Sequence, residues 1–129
     1  MKPHIEEAWR SLRMADRDIM AFNILAGESA MHVSIVYFHA QQSVEKALKA
    51  VCLKHAISFP YVHDLARLLT VRQQGGVRVP KYVLRAAGLT RFAVETRYPG
   101  LSGPVTKREH RKIVRIAAEA VRCAERQVK

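Results

Sequence analysis

The stretch SAMHVSIVYFHAQQSVEKALKAVCLKH, residues 29–55, decides the fold class. Its apolar side chains recur at three- and four-residue steps, the spacing that collects them on one face of an α-helix. The main stripe is formed by Val33, Tyr37, Ala40, Val44, Leu48 and Val51. The pattern predicts a long helix from about Ser29 to His55, with Pro60 beyond its end.

The segments on either side of this stretch carry the same helical spacing. Apolar residues recur in this way from Ile5 to Phe22, before Gly27, and again from Ile113 to Ala124. No segment alternates between apolar and polar residues for long enough to indicate a β-strand. The sequence therefore predicts an all-α fold.

Capping residues and helix terminators divide the rest of the chain. Asp64 is placed to cap a short helix over residues 65–73, which the glycine pair 75–76 ends. Pro80 suits the first turn of a fourth helix, predicted over 80–96. Thr106 and Glu109 stand at capping-box spacing before the last helix. The predicted architecture is an antiparallel up-and-down bundle of four long helices plus one short helix.

Length and composition are those of one globular domain. The chain has 129 residues, of which 49% are hydrophobic and 26% charged, so we treat residues 1–129 as a single folded domain rather than a disordered chain. Cys52 and Cys123 lie far apart, which excludes a disulfide framework and a zinc ribbon. The acidic start and the lack of an apolar run of about 18 residues predict a cytoplasmic protein without a membrane segment.

The net charge of +11 is concentrated in two parts of the chain. Residues 1–66 are neutral, whereas 67–97 carry +6 and 107–129 carry +5. In the last helix one stripe holds Arg108, Arg111, Arg115, Arg122 and Arg126. Such asymmetry favours an acidic partner, either nucleic acid or an acidic protein surface. A merely solvated basic face stays open as the alternative.

The helix at 29–55 has a second apolar face. Met31, Ile35, Phe38 and Leu53 lie opposite the main stripe. A helix that is apolar on two sides is either central in its own domain or shared with another chain. We predict a homodimer through Met31, Ile35 and Phe38, with cover by a crossing loop as the alternative.

Several familiar catalytic and cofactor motifs are absent from the sequence. There is no G-x-x-x-x-G-K loop, no G-x-G-x-x-G loop and no G-x-S-x-G elbow. His32 and His39 are seven residues apart, about 10 Å along a helix, which is too far for both to bind one ion. The sequence therefore predicts neither a metal nor a cofactor.

Three local groups of residues have chemistry of interest. In QQSVEKALK, residues 41–49, the side chains of Gln42, Lys46 and Lys49 share a helix face. That face is either solvated, with one weak ion pair, or a surface for phosphate. His63 and Asp64 form the second group, in which Asp64 caps a helix and His63 serves either packing or function.

The third group is TRYPG, residues 96–100, at the predicted end of the fourth helix. A cation such as Arg97 suits the carboxyl end of a helix dipole, and this anchoring role is one interpretation. In the other, Arg97 contacts phosphate and the ring of Tyr98 stacks on a base.

The strings FHAQQSVEKALK (38–49), HDL (63–65) and TRYP (96–99), in this order, resemble the small prokaryotic HEPN-domain family (higher eukaryotes and prokaryotes nucleotide-binding). The likeness extends from about Glu6 to Gln127. It implies an up-and-down helical bundle that is commonly dimeric. It also implies a frequent partner, the minimal nucleotidyltransferase, which is encoded alongside and often behaves as the antitoxin.

Some members of this family are metal-independent ribonucleases, whose signature is an Arg followed after four to six residues by a His. None of the 6 histidines of this chain has an Arg at that distance upstream. We therefore expect a binding module for nucleotide or RNA. Its expected ligand-binding residues are Gln42, Lys46, Lys49, His63, Asp64, Arg97 and Tyr98. The alternatives are a ribonuclease toxin using His63 as acid or base and Arg97 as electrostatic stabiliser, and a purely structural protein that docks an acidic partner.

Overall fold

Helices make up the regular secondary structure of the described residues. The computed structural model describes residues 2–28, 33–60, 63–90 and 105–129, and these ranges contain no β-strand. The elements are α1 (Pro3–Leu25), α2 (Val33–Lys54), α3 (Leu65–Gln74), α4 (Lys81–Leu84), a 3₁₀ helix (Arg85–Leu89) and α5 (Lys107–Val128). The prediction of an all-α fold is confirmed. Within the same ranges, no helix is long and apolar enough to cross a membrane.

Capping residues fix the helix starts that the sequence predicts. One carboxylate oxygen of Asp64 accepts hydrogen bonds from the backbone N–H groups of Ala66, at 3.0 Å, and Arg67. The hydroxyl of Thr106 accepts a hydrogen bond from the backbone N–H of Glu109 at 3.1 Å. These bonds satisfy N–H groups that have no partner inside the helix, so α3 and α5 begin where the caps stand.

Glycine ends α3 as predicted. The helix stops at Gln74, and Gly76 adopts a φ of 87°, in the left-handed region that favours glycine. Gly75 also lies close to the side chain of Ile57, where an added Cβ would stand 2.5 Å from Cδ1. Backbone conformation at Gly76 and close packing at Gly75 therefore explain why glycine occupies these two positions.

The fourth helix departs from its prediction within the described residues. A long α-helix was expected over 80–96, but the α-helix spans only Lys81–Leu84 and passes into the 3₁₀ helix Arg85–Leu89. Gly88 lies in this segment, and glycine in a helix interior costs about 1 kcal/mol relative to alanine. Residues 91–96 lie outside the described ranges.

Contacts between the long helices establish their directions. Ser11 of α1 donates to the backbone carbonyl of Lys46, whereas Phe22 packs against Tyr37, so α1 and α2 run antiparallel. Tyr37 near the start of α2 contacts His110 near the start of α5. One apolar cluster gathers the later halves of both helices, with members Ala47, Ala50, Val51, Val121, Ala124 and Val128. The two helices α2 and α5 therefore run in the same direction.

Helix α2 is the central element of the domain, in contact with α1, α3 and α5. Its residues Ala40, Val44 and Leu48 are at most 1% exposed and belong to the larger apolar cluster. Leu53, on the second apolar face, packs against the smaller cluster. The two-faced pattern of α2 is thus explained in part by neighbours within the same chain.

Arg72 ties the end of α3 to the end of α5. The residue is 1% exposed, and its guanidinium donates to the backbone carbonyl of Arg78 and to the side-chain oxygen of Gln127. Because a buried cation needs such acceptors, the bonds fix the loop after α3 against α5.

Alkaline pH is expected to destabilise this fold through Cys52. Burial raises the pKa of the Cys52 thiol above its ordinary value of 9.0, although the nearby charge of Arg72 acts in the opposite direction. Above pH 9.0 the unfolded chain releases this proton while the folded chain keeps it, so the free energy of unfolding falls as pH rises further. Below pH 9.0 the thiol keeps its proton in both the folded and the unfolded chain, so the full stability that the buried neutral thiol contributes is present there.

Denaturant unfolding from below pH 9.0 to above pH 10.0 measures this loss, with Cys52→Ala as the control. The variant should show a shallower decline with pH. Equal declines in the two proteins would contradict the expectation. Tyr37 is present in both proteins, and its pKa is also raised, mainly by burial and further by the charge of Glu109.

Candidate functional site

A buried carboxylate organises the candidate site. Glu45, in the middle of α2, is 3% exposed. Its carboxylate accepts hydrogen bonds from the amide of Gln41 at 3.2 Å, the ammonium of Lys49 at 3.1 Å and Nδ1 of His63 at 2.7 Å. We call Gln41, Gln42, Glu45, Lys49 and His63 the Glu45 cluster. It joins α2 to the segment just before α3.

His63 is held at two points in this cluster. Its backbone carbonyl accepts a second hydrogen bond from the amide of Gln41, at 3.1 Å. Because the carboxylate of Glu45 accepts at this contact, Nδ1 of His63 carries the proton of the hydrogen bond, and Nε2 at the other edge of the ring is left for a ligand. The side chain is 51% exposed, so a fixed imidazole stands at the protein surface.

Asp64, next to His63, fixes the start of α3 through hydrogen bonds to backbone N–H groups. Its carboxylate is engaged with the first turn of α3, as described above, and the N–H of Leu65 donates to the hydroxyl of Thr90 at 3.0 Å. These bonds fix the residue before the helix and hence the position of His63. The predicted capping role of Asp64 is confirmed.

The helix face at residues 41–49 is more buried than a solvated face would be. Gln41 is fully buried and Gln42 is 8% exposed, and the amide of Gln42 donates to the side-chain oxygen of Gln41 at 2.6 Å. The interpretation as a solvated face with one weak ion pair is therefore wrong. Polar side chains are tolerated there because each one satisfies another.

Lys46 belongs to a second group, on the side of α2 that faces α1. The carboxylate of Asp18 lies between Nδ1 of His39, at 3.0 Å, and the ammonium of Lys46. We call Asp18, His39 and Lys46 the Asp18 cluster. Both Lys46 and Lys49 thus have a carboxylate partner. A phosphate bound by either lysine would share the lysine ammonium with that carboxylate.

A groove of about 370 Å³ between α1 and α2 brings the two lysines together. Glu45, Lys46 and Lys49 line it, and the ring of Phe59 lies 5.9 Å from the ammonium of Lys49. Lysine above an aromatic face is favourable, by about 0.5–1 kcal/mol at exposed sites. Sequence reasoning missed Asp18 and Phe59, because only the packing of α1, α2 and the following loop brings them to this place.

The remaining predicted residues either lie outside the described ranges or belong to the proposed dimer face. Arg97, Tyr98 and Met31 lie outside the described residues. Of the proposed dimer face, Ile35 is 44% exposed and Phe38 is partly buried beside the ring of His39. In the described part of the chain, no three His, Cys, Asp or Glu side chains are grouped to hold a metal ion.

The comparison with protein families decides the family. The family model of the HEPN domain matches residues 8–127. The chain belongs to the HEPN domain family. No curated protein and no solved structure matches the chain.

Membership of the family sets the general function of this HEPN domain. At the family level it supports a module related to nucleotides or RNA. The matched region includes all of α2 and α3, and therefore the whole Glu45 cluster. The cluster is thus part of the HEPN domain itself.

Proposed function

We propose that this HEPN domain is a binding module that takes a nucleotide, or the nucleotides of an RNA, at the Glu45 cluster. The observation that carries the proposal is the pairing of half-exposed His63 with buried Glu45 at 2.7 Å. A side chain held in this way offers its outer edge to a ligand without losing much conformational freedom on binding. Family membership supports the class of ligand.

Each residue of the proposed site has a role that follows from its chemistry. Lys46 and Lys49 line the groove beside Glu45 and contact phosphate with protons that their carboxylate partners do not use. Arg97 adds a further phosphate contact and Tyr98 stacks on the base. His63, Asp64 and Gln42 order the rim.

We further propose that the module is a homodimer and pairs with a minimal nucleotidyltransferase in a toxin–antitoxin-like system. Exposed Ile35 supports the dimer, since an apolar side chain at the outer face of α2 suits burial by a second chain. Phe38 and Met31 would flank it. Light scattering should give twice the chain mass of 14.6 kDa, and a monomer mass would refute the dimer.

Loss of the phosphate contacts is the test of the binding site. We expect the variant with Lys46→Gln, Lys49→Gln and Arg97→Gln to bind nucleoside triphosphates at least about tenfold more weakly, because charge-assisted hydrogen bonds are removed. Isothermal titration calorimetry measures the affinity for each triphosphate, and the same variant is tested for binding the nucleotidyltransferase.

The matched control removes the same charge elsewhere, by Lys2→Gln, Arg13→Gln and Arg17→Gln. These three residues of the first part of the chain are exposed. The control should bind like the wild type. Unchanged affinity of the site variant for both triphosphates and partner would refute the proposed site.

One observation favours a second function, that of a metal-independent ribonuclease. A carboxylate at Nδ1 of a histidine is the arrangement that orients the ring and stabilises its protonated form during proton transfer. In this alternative His63 is the acid or base and Arg97 stabilises the developing charge. The ribonuclease is the second candidate because the chain lacks the family's signature of an Arg followed after four to six residues by a His.

A further inference from the structure

A second surface of the domain is rich in cations and shares no residue with the Glu45 cluster. A groove of about 470 Å³ is lined by Ile116 and five basic side chains, without a described acidic residue. We call it the α5 groove, and its basic residues are Arg85, Arg108, Arg111, Lys112 and Arg115. All five are exposed.

The fold brings these cations together from two elements. Helix α5 buries Ile113, Ala117 and Ala120 in the core, which leaves the basic stripe on its opposite side. The 3₁₀ helix packs against α5 and adds Arg85. The sequence pattern showed the stripe on α5, but only the tertiary packing shows that Arg85 completes a groove.

The cations of the α5 groove differ from the lysines of α2 in one respect. Lys46 and Lys49 each have a carboxylate partner, whereas none of the five groove residues forms an ion pair with any described residue. Like charges this close together repel one another, so the groove has a positive potential that an anion would relieve. Cations without carboxylate partners contribute little to holding the fold together, so an array of this kind is better suited to binding an anion.

We propose that the α5 groove binds the phosphodiester backbone of a nucleic acid, without reading its sequence. Four of the five cations are arginines, whose planar guanidinium matches the geometry of a phosphate. Arg108 and Arg115 are separated by about 10 Å along the helix, so the groove spans more than one phosphate of a strand. This surface goes beyond the nucleotide site proposed above.

The lining favours nucleic acid over an acidic protein. Stable protein interfaces have an apolar core, whereas the described lining of the groove includes one apolar side chain, Ile116. Nucleic acid interfaces are instead polar and strongly positive. Among the described residues that line the groove, none is aromatic and able to stack on bases, which favours contacts to the backbone.

The salt dependence of binding tests this proposal. The probe is a fluorescent oligouridylate of roughly 16 nucleotides, followed by anisotropy from about 50 to 200 mM KCl. Arg111→Gln with Arg115→Gln should weaken binding about 10- to 30-fold and reduce the slope of log K against log salt by about 1.4. An oligothymidylate of equal length should behave alike, since nothing in the proposed contacts reads the 2′-hydroxyl.

The matched control is Arg13→Gln with Arg17→Gln, an exposed pair at the same spacing on α1. It should keep the wild-type slope. Three results would each overturn the proposal. Equal losses of affinity in both double variants would show diffuse attraction, and unchanged affinity in both would show that the groove is not a site. Equal affinity of the wild type for polyglutamate and for oligouridylate would show a surface for acidic proteins. Failure of the nucleotide site is seen separately, because the Lys46, Lys49 and Arg97 variant is read with triphosphates.

Discussion

Replacement of Phe22 by alanine is expected to lower the free energy of unfolding by about 3–5 kcal/mol. Phe22 is fully buried on α1, and its ring lies 5.7 Å from that of Tyr37 on α2 and 5.9 Å from that of His110 on α5. One side chain thus joins three helices. Its removal takes away apolar burial and leaves a cavity that rigid helices fill only in part.

A domain of this size has a total stability of about 5–15 kcal/mol, so the variant should be close to unfolding at moderate temperature. Denaturant titration followed by circular dichroism measures the change. Met20→Ala is the control, since Met20 lies on the same helix and is 63% exposed. It should change the stability by less than about 0.5 kcal/mol. A loss below about 1 kcal/mol for Phe22→Ala would contradict the three-helix junction.

The second large effect is expected at Glu45. We expect Glu45→Gln to lower the free energy of unfolding by about 1–3 kcal/mol, although the shape of the side chain is kept. The buried carboxylate accepts from Gln41, Lys49 and His63, and an amide cannot accept at both of its ends. One donor of the cluster is therefore left without its acceptor.

The control for Glu45→Gln is Glu7→Gln. Glu7 pairs with Arg10 at 3.0 Å on the surface of α1, where both side chains are more than half exposed. An exposed pair of this kind contributes about 0–1 kcal/mol. Equal stability changes in the two variants would contradict the central role of Glu45. In a separate binding measurement, weaker nucleotide binding by Glu45→Gln than by the wild type would link the cluster to the function, because Glu45 holds His63 in position.

The parts of the fold that local sequence decides were predictable. Helix caps act within three residues, so Asp64 and Thr106 could be identified from their neighbours alone. The periodicity of α2 predicted its end at about His55, and the helix ends at Lys54. The continuous α-helix predicted from residue 80 is interrupted at Arg85, where a 3₁₀ segment in contact with α5 begins, and apolar periodicity alone did not distinguish this segment from an α-helix.

The candidate site was less predictable, because its contacts join distant parts of the chain. Asp18 and Lys46 are 28 residues apart, and His63 and Glu45 are 18 apart, with the pairing decided by how the helices pack. Lys49 and His63 were candidate residues from the sequence, but the carboxylate of Glu45, to which both are hydrogen-bonded, was not. A glutamate within a buried helix face is the signal that was available.

The most direct test of the central claim is equilibrium binding of a labelled single-stranded RNA in the presence of EDTA, with the RNA recovered and sized afterwards. Proteins with a wild-type site, with His63→Ala and with Arg97→Ala are compared at physiological salt, each in a background of Arg111→Gln and Arg115→Gln, which removes two of the proposed RNA contacts of the α5 groove. We expect saturable binding by the wild type, binding about tenfold weaker in both variants, and intact RNA throughout. Equal binding by all three proteins would contradict the proposed site. Fragments made by the wild type and absent with both variants would establish the ribonuclease instead.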